Sequence, residues 1–290
     1  MTAGSVEDHR SREGGAIVYP VYSRRSGGLS VGINLFPDRK RCSFDCPYCE
    51  VFPFETDISF KLETMKAALR SAILDAGDRK IPVRDLCFSG NGEPTMSPHF
   101  AEALGAAAAL RNKLAREAKL VVITNGTGLL EREPGGNGPM FDFLRSSACA
   151  PDTSLRIWLK LDAGTEAWYA AMDRSRIPYG RLLSRIRDFA AAGAPFILQT
   201  MVCKINGRLP PPEESAAWVA LVTELACASA GAEAGQGRGL RGVQLYGKAR
   251  PAPEDPLAEA VPAAVLEERA ALLRAALAEA GREVPVEVYE

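Results

Sequence analysis

The sequence predicts an α/β fold, a partial or full (β/α) barrel with parallel strands and about six βα units. Three observations predict it. Short runs rich in aliphatic and β-branched residues alternate with segments of helical period. The alternation persists from about residue 31 to the end of the 290-residue chain, with no internal repeat. Polar and glycine motifs fall just after the strand runs, where parallel α/β folds gather their chemistry. An open doubly wound sheet satisfies the same alternation.

Taken in order, residues 1–20 read as a polar arm and 21–290 as a single domain. VGINLF (31–36) reads as a strand and leads into a cysteine-rich loop. Leu62, Met65, Leu69 and Ile73 recur at helical spacing within 60–76. VRDLCFSG (83–90) is the next strand; Ser97-Pro98 then starts an alanine-rich helix running to about 117. LVVITNG (120–126) ends on Asn-Gly, a Gly/Pro loop covers 134–139, and a short helix begins near 140. LRIWLKLD (155–162) is a strand after which Thr165 caps a helix, and the helix 180–192 stops at Gly193. FILQTMVCK (196–204) is a strand, and PPPEE opens a helix reaching about 230. A glycine-rich linker (231–239), the strand RGVQLYG (241–247), the extended loop RPAPEDP, a helix over 262–281 and a last strand VPVEVY (284–289) complete the pattern.

Composition narrows the function. Apolar residues make up 47% and the net charge is −1, so no global field draws the chain to nucleic acid or to an anionic membrane. Seven basic residues against two acidic ones between Arg10 and Arg41 form either a solvated arm or a local anion-binding strip. No apolar run spans a bilayer and the N-terminus has no signal-peptide core, so a cytoplasmic protein without membrane association is expected. In that compartment cysteines stay reduced, and clustered ones point to metal or catalysis. With only His9 and His99, histidine-based metal sites and triads lack their parts.

The segment RCSFDCPYCE places Cys42, Cys46 and Cys49 in a C-x3-C-x2-C spacing. Seven cysteines scattered at random give that spacing about 0.004 times per chain. Thiolates suit zinc or iron–sulfur clusters. Structural zinc takes four ligands, and no fourth Cys or His lies nearby. Three cysteines on a cubane cluster leave one iron open to a small ligand.

CSFDCPYC resembles the motif of the radical S-adenosylmethionine (SAM) superfamily. The longer segment PVYSRRSGGLSVGINLFPDRKRCSFDCPYCEV is similar to a branch that contains the wyosine-type tRNA-modifying enzymes and their bacterial relatives. The likeness continues through SGNGEPT (89–95), ITNGTGLL (123–130), LKLDAGT (159–165) and VQLYGKARP (243–251), covering about residues 20 to 251. It implies a [4Fe–4S] cluster on Cys42, Cys46 and Cys49. SAM would be cleaved by one electron to a 5′-deoxyadenosyl radical that abstracts hydrogen from a substrate. It further implies that Asn91, Gly92 and Glu93 meet the SAM amino group, with Asn91 where the family has glycine and Glu93 either a contact or a structural residue. Thr124 and Asn125 are implied at the carboxylate or substrate, Asp162 at the ribose, and Tyr48 beside the adenine.

Other residues carry open alternatives. Lys160 and Asp162 share a strand face, and Lys160 serves as an ion-pair partner or as a Schiff-base amine. Gln199, Tyr246 and Lys248 are candidate pocket polars at late strand ends. Cys203 is either a substrate-side thiol or packing; Cys87, Cys149 and Cys227 read as packing, and His99 as surface. No cysteine precedes Cys42, so the second cluster of wyosine-forming relatives cannot be carried over. A separate flavodoxin- or ferredoxin-like donor would supply the electron, and the substrate is a small molecule or a tRNA base. Activation of a glycyl-radical protein is a third option. A metal-stabilised binding module without catalysis is the contrasting hypothesis.

Overall fold

The computed structural model describes residues 15–131, 137–228 and 239–290. The expected arm up to residue 14, residues 134–136 of the Gly/Pro loop and 231–238 of the linker lie outside the described residues.

Among the described residues ten strands occur in chain order: β1 (Val18–Ser23), β2 (Gly28–Ile33), β3 (Val83–Phe88), β4 (Lys119–Thr124), β5 (Arg156–Lys160), β6 (Phe196–Val202), β7 (Lys204–Ile205), β8 (Leu240–Gly247), β9 (Ala258–Glu259) and β10 (Val286–Tyr289). Seven helices accompany them: α1 (Leu62–Asp78), α2 (Phe100–Leu114), α3 (Pro139–Cys149), α4 (Glu166–Met172), α5 (Tyr179–Ala191), α6 (Pro212–Ala228) and α7 (Ala263–Glu279). Eight strands hydrogen-bond in the order β1-β2-β3-β4-β5-β6-β8-β10, while β7 and β9 pair separately. The β2–β3, β3–β4, β6–β8 and β8–β10 ladders are parallel. The fold class is therefore the expected α/β type with a partial (β/α) barrel.

The chain divides into two compact units. The first comprises residues 1–42, 53–124 and 146–157. Its strands read as unbroken apolar runs because parallel strands are covered on both faces: Leu86, Cys87 and Phe88 of β3 and Leu120, Val121 and Val122 of β4 are all buried. On α1, Met65, Leu69, Ala72, Ile73 and Ala76 form the buried stripe that the spacing anticipated. β1 was not anticipated. It forms an antiparallel hairpin with β2 from Val18 opposite Ile33 to Ser23 opposite Gly28. Tyr19, Pro20 and Tyr22 blur its alternation, and the expected strand 31–36 is its second arm shifted toward the N-terminus.

The second unit comprises residues 43–52, 125–145 and 158–290. The helix anticipated after Thr165 and the separate one anticipated over 180–192 are α4 and α5. Thr165 caps α4, its hydroxyl accepting the Trp168 amide at 3.2 Å. Arg174, with φ 45°, then breaks the path before α5 begins. Trp218 of α6 is fully buried and donates its indole N–H to the Leu161 carbonyl at 3.2 Å, fixing α6 against the end of β5. Gly164 permits that approach: a β-carbon there would lie 2.1 Å from the Trp218 backbone nitrogen. Cys149 and Cys227, read from sequence as packing, are exposed, because each lies near a helix end outside the buried stripe. Among the described residues no helix is long and apolar enough to cross a membrane.

Candidate functional site

In the first unit, the residue before the first cysteine is locked in place. Arg41 donates its amide to the Asn91 carbonyl at 3.0 Å, and its own carbonyl accepts the Glu93 amide at 2.9 Å. Gly92 lies within this two-bond clasp. A β-carbon at Gly92 would sit 1.9 Å from the Arg41 carbonyl oxygen, so no other residue fits without moving the chain. Glu93 is buried at 3% exposure, and one carboxylate oxygen accepts from the Thr95 amide at 3.0 Å, the Thr95 hydroxyl at 2.7 Å and the Thr124 hydroxyl at 2.7 Å. Glu93 thus caps the short turn Pro94–Met96 and ties it to the end of β4.

Asn34, a residue the sequence did not single out, organises the same region. Its side-chain oxygen accepts the amides of Phe36 at 3.0 Å and Asn91 at 3.3 Å, and its side-chain nitrogen donates to the Ala16 carbonyl at 3.1 Å. The available signal was a lone polar residue at the end of an apolar run.

In the second unit, the remaining part of the cysteine loop is anchored at several points. Asp45 donates its amide to the Asp173 carbonyl at 3.0 Å, and the Ser43 carbonyl accepts the Ser175 hydroxyl at 3.1 Å. Asn125 is buried; its side-chain nitrogen donates to the Ser43 hydroxyl at 3.1 Å while its oxygen accepts the Thr127 amide at 3.0 Å. Ser43 and Thr127 are joined through their hydroxyls. Cys49 closes a turn on the Cys46 carbonyl at 3.0 Å.

Beyond this loop lies a buried polar group inside an apolar setting. Lys160 directs its ammonium to the Tyr48 hydroxyl at 2.7 Å, the Tyr246 hydroxyl at 3.2 Å and the Asp162 carboxylate at 3.0 Å. Tyr48 donates its phenol proton to the same Asp162 oxygen. The other Asp162 oxygen accepts the Met201 amide at 2.9 Å. Tyr48, Met172, Met201, Cys203, Ile205, Tyr246 and Ala258 form the surrounding core, against which Cys46 packs. Cys46 also approaches an Asp173 oxygen at 3.8 Å. Burial opposes the charge on Lys160, but Asp162, together with Tyr246, Cys46 and Asp173, raises the ammonium well above its ordinary range. Burial, reinforced by Asp162, raises the Asp173 carboxyl.

Of the residues singled out from sequence, the structure brings together Tyr48, Lys160, Asp162 and Tyr246 in one group, and Glu93 with Thr124 in another. Gln199 stands apart from both. It is fully buried and donates to the Gln244 side chain at 2.8 Å, which in turn reaches Glu287 at 3.3 Å. Lys248 pairs with Asp255 at 2.7 Å. Cys203 is fully buried beside the Met172 sulfur at 3.6 Å, and burial pushes its thiol up to about 12, the behaviour of a packing cysteine. His99 lies at the surface against Glu102.

Among the described residues, no three His, Cys, Asp or Glu side chains are gathered as a bound metal would need. The donor set nonetheless suits an iron–sulfur cluster by its chemistry: Cys42, Cys46 and Cys49 are unbridged, partly buried thiols on one short loop.

No family model matches the sequence. UPF0026 proteins from two strains of Helicobacter pylori are 31% identical over 147 residues and 30% identical over 137 residues. These matches span 49% and 46% of this chain, and 45% and 42% of the relatives, so the chain matches less than half of their length. Among solved structures, Streptococcus suis SuiB bound to S-adenosylmethionine superposes with a TM-score of 0.60 at 12% identity, covering 89% of this chain and 50% of that one. SuiB bound to its precursor peptide SuiA gives 0.60 at 13% identity, with 89% and 48% coverage. TYW1 with a lysine–pyruvate adduct bound gives 0.55 at 12% identity, with 85% and 73% coverage.

Proposed function

We propose that this chain, which has the fold of the radical SAM superfamily, is a radical SAM enzyme whose residues 21–290 act as one catalytic domain. One observation carries the reading. The C-x3-C-x2-C loop follows β2 of this fold, and Arg41, the residue before its first cysteine, is held by a clasp around Gly92 that tolerates no side chain. In this reading Cys42, Cys46 and Cys49 hold a [4Fe–4S] cluster. With SAM bound, the cluster supplies one-electron cleavage of the sulfonium to a 5′-deoxyadenosyl radical that takes hydrogen from the substrate.

The protein's own part is placement. Asn91, Gly92 and Glu93 present backbone groups for the SAM amino group at the end of β3, and Glu93 keeps that segment rigid through Thr95 and Thr124. Asn125 orients Ser43, the residue after the first cysteine, and Thr124 and Asn125 are assigned to carboxylate or substrate contact. Tyr48 and Asp162 have their polar atoms engaged with Lys160 and Met201, which supports a role in fixing the cysteine loop. Gln199 ties β6 to β8 through its hydrogen bond to Gln244.

Lys160 faces the Asp162 carboxylate at 3.0 Å, which supports the ion-pair reading of this residue over the Schiff-base amine. The substrate is a small molecule or a tRNA base, and an external flavodoxin- or ferredoxin-like protein delivers the electron.

The test is anaerobic reconstitution with iron and sulfide, followed by SAM and dithionite, with 5′-deoxyadenosine measured by chromatography. The expected result is 5′-deoxyadenosine from the wild type and a loss of at least a hundredfold in Cys46→Ala. A bound cluster that neither binds nor cleaves SAM would establish instead the non-catalytic binding module.

A further inference from the structure

The Lys160 group poses a physical problem. A carboxylate and two phenols are withdrawn from water among Met172, Met201, Cys203 and Ile205, together with an ammonium whose side chain is 16% exposed. Such a buried pair gives little net stability, since apolar residues of the same volume often serve as well or better. Its location offers a different use. Tyr48 lies between Cys46 and Cys49 in the chain, accepts from Lys160 and donates to Asp162. Cys46 packs against the same apolar core. In so dry a setting the field of a unit charge is weakly screened.

We infer that Lys160 and Asp162 set the reduction potential of the iron–sulfur cluster, in opposite directions. This rests on the proposed function, which places the cluster on Cys42, Cys46 and Cys49. Accepting one electron adds a negative charge to the cluster. A buried cation beside it favours the reduced state and a buried anion disfavours it. Lys160 is therefore a positioning residue with an electrostatic effect, acting through Tyr48 and through its field. Asp162 moderates that field from 3.0 Å away and prevents Lys160 from turning toward solvent.

The experiment is a redox titration of the anaerobically reconstituted full chain, followed by electron paramagnetic resonance of the reduced cluster, without SAM or substrate. Lys160→Met should move the midpoint to more negative values and Asp162→Asn to more positive ones. Lys160→Arg keeps the charge and should stay near wild type. The double variant Lys160→Met/Asp162→Asn should return toward wild type, and it keeps the test decisive if Lys160→Met alone does not fold. A merely structural pair would leave the midpoints unmoved or shift both single variants in the same direction, and either result overturns the inference. Failure of the wild type to take up any cluster would overturn the proposed function itself, whereas a wild-type cluster with unmoved potentials overturns only the role of the pair.

Discussion

Glu93 and Asp162 are both buried carboxylates at strand ends, and they are held in contrasting ways. Glu93 is surrounded by neutral donors, an amide and two hydroxyls, beside a backbone clasp whose limit is steric. Asp162 is held by an ammonium, a phenol and an amide within an apolar core. The first region is constrained by shape and the second by charge balance. A mutation in the first should cost in proportion to the atoms displaced. In the second it should cost according to whether a charge is left alone.

The largest expected effect tests that rule. Lys160→Met strands Asp162 and should destabilise the protein by about 3–5 kcal/mol in urea denaturation. Adding Asp162→Asn should recover most of the loss; a double variant no more stable than the single one would break the charge-balance account. Gly92→Ala comes next. With a β-carbon 1.9 Å from the Arg41 oxygen, the clasp must open, at a cost of about 1–3 kcal/mol. Iron uptake on reconstitution should fall with it, because Arg41 leads directly into Cys42. Thr124→Val removes one neutral donor to Glu93 and should cost about 1–2 kcal/mol by thermal denaturation.

A third buried carboxylate sharpens the contrast. Asp85 is 1% exposed and accepts from the Ser30 hydroxyl at 2.5 Å, and burial raises its carboxyl above the ordinary range. The unfolded chain gives up this proton at lower pH than the folded one. Stability therefore falls as pH rises from the ordinary carboxylate range through the raised folded value. Asp85→Asn should remove that decline, matching wild type at low pH and exceeding it at neutral pH in denaturation measured across pH. The smallest effect belongs to the surface. Glu254→Gln, which breaks the half-exposed pair with Arg174, should cost less than about 1 kcal/mol, and high salt should erase the difference.

Much of this arrangement was legible in the sequence, and the reasons are specific. Parallel strands such as Val83–Phe88 and Lys119–Thr124 declare themselves as apolar runs, and the Met65–Ile73 stripe declares its helix. The β1 arm did not, since its outward side chains interrupt the pattern. Lys160 and Asp162 were visible as strand neighbours on one face, and the ion pair between them was among the readings. That Tyr48 and Tyr246 would complete the group depends on chain separations of 112 and 86 residues, which no local pattern encodes. Asn34 was missed for a related reason: one asparagine says nothing of the three backbone groups it gathers.

The exposure of Cys149 and Cys227 bears on how any cofactor should be counted. Two accessible thiols can take up adventitious iron and sulfide from a reconstitution mixture alongside the loop. Elemental stoichiometry on the unaltered chain would then overstate occupancy, and adventitious aggregates would contribute to the visible absorption. Replacing both with serine, at positions where nothing is packed, gives the background on which iron per protein can be read as cluster per protein.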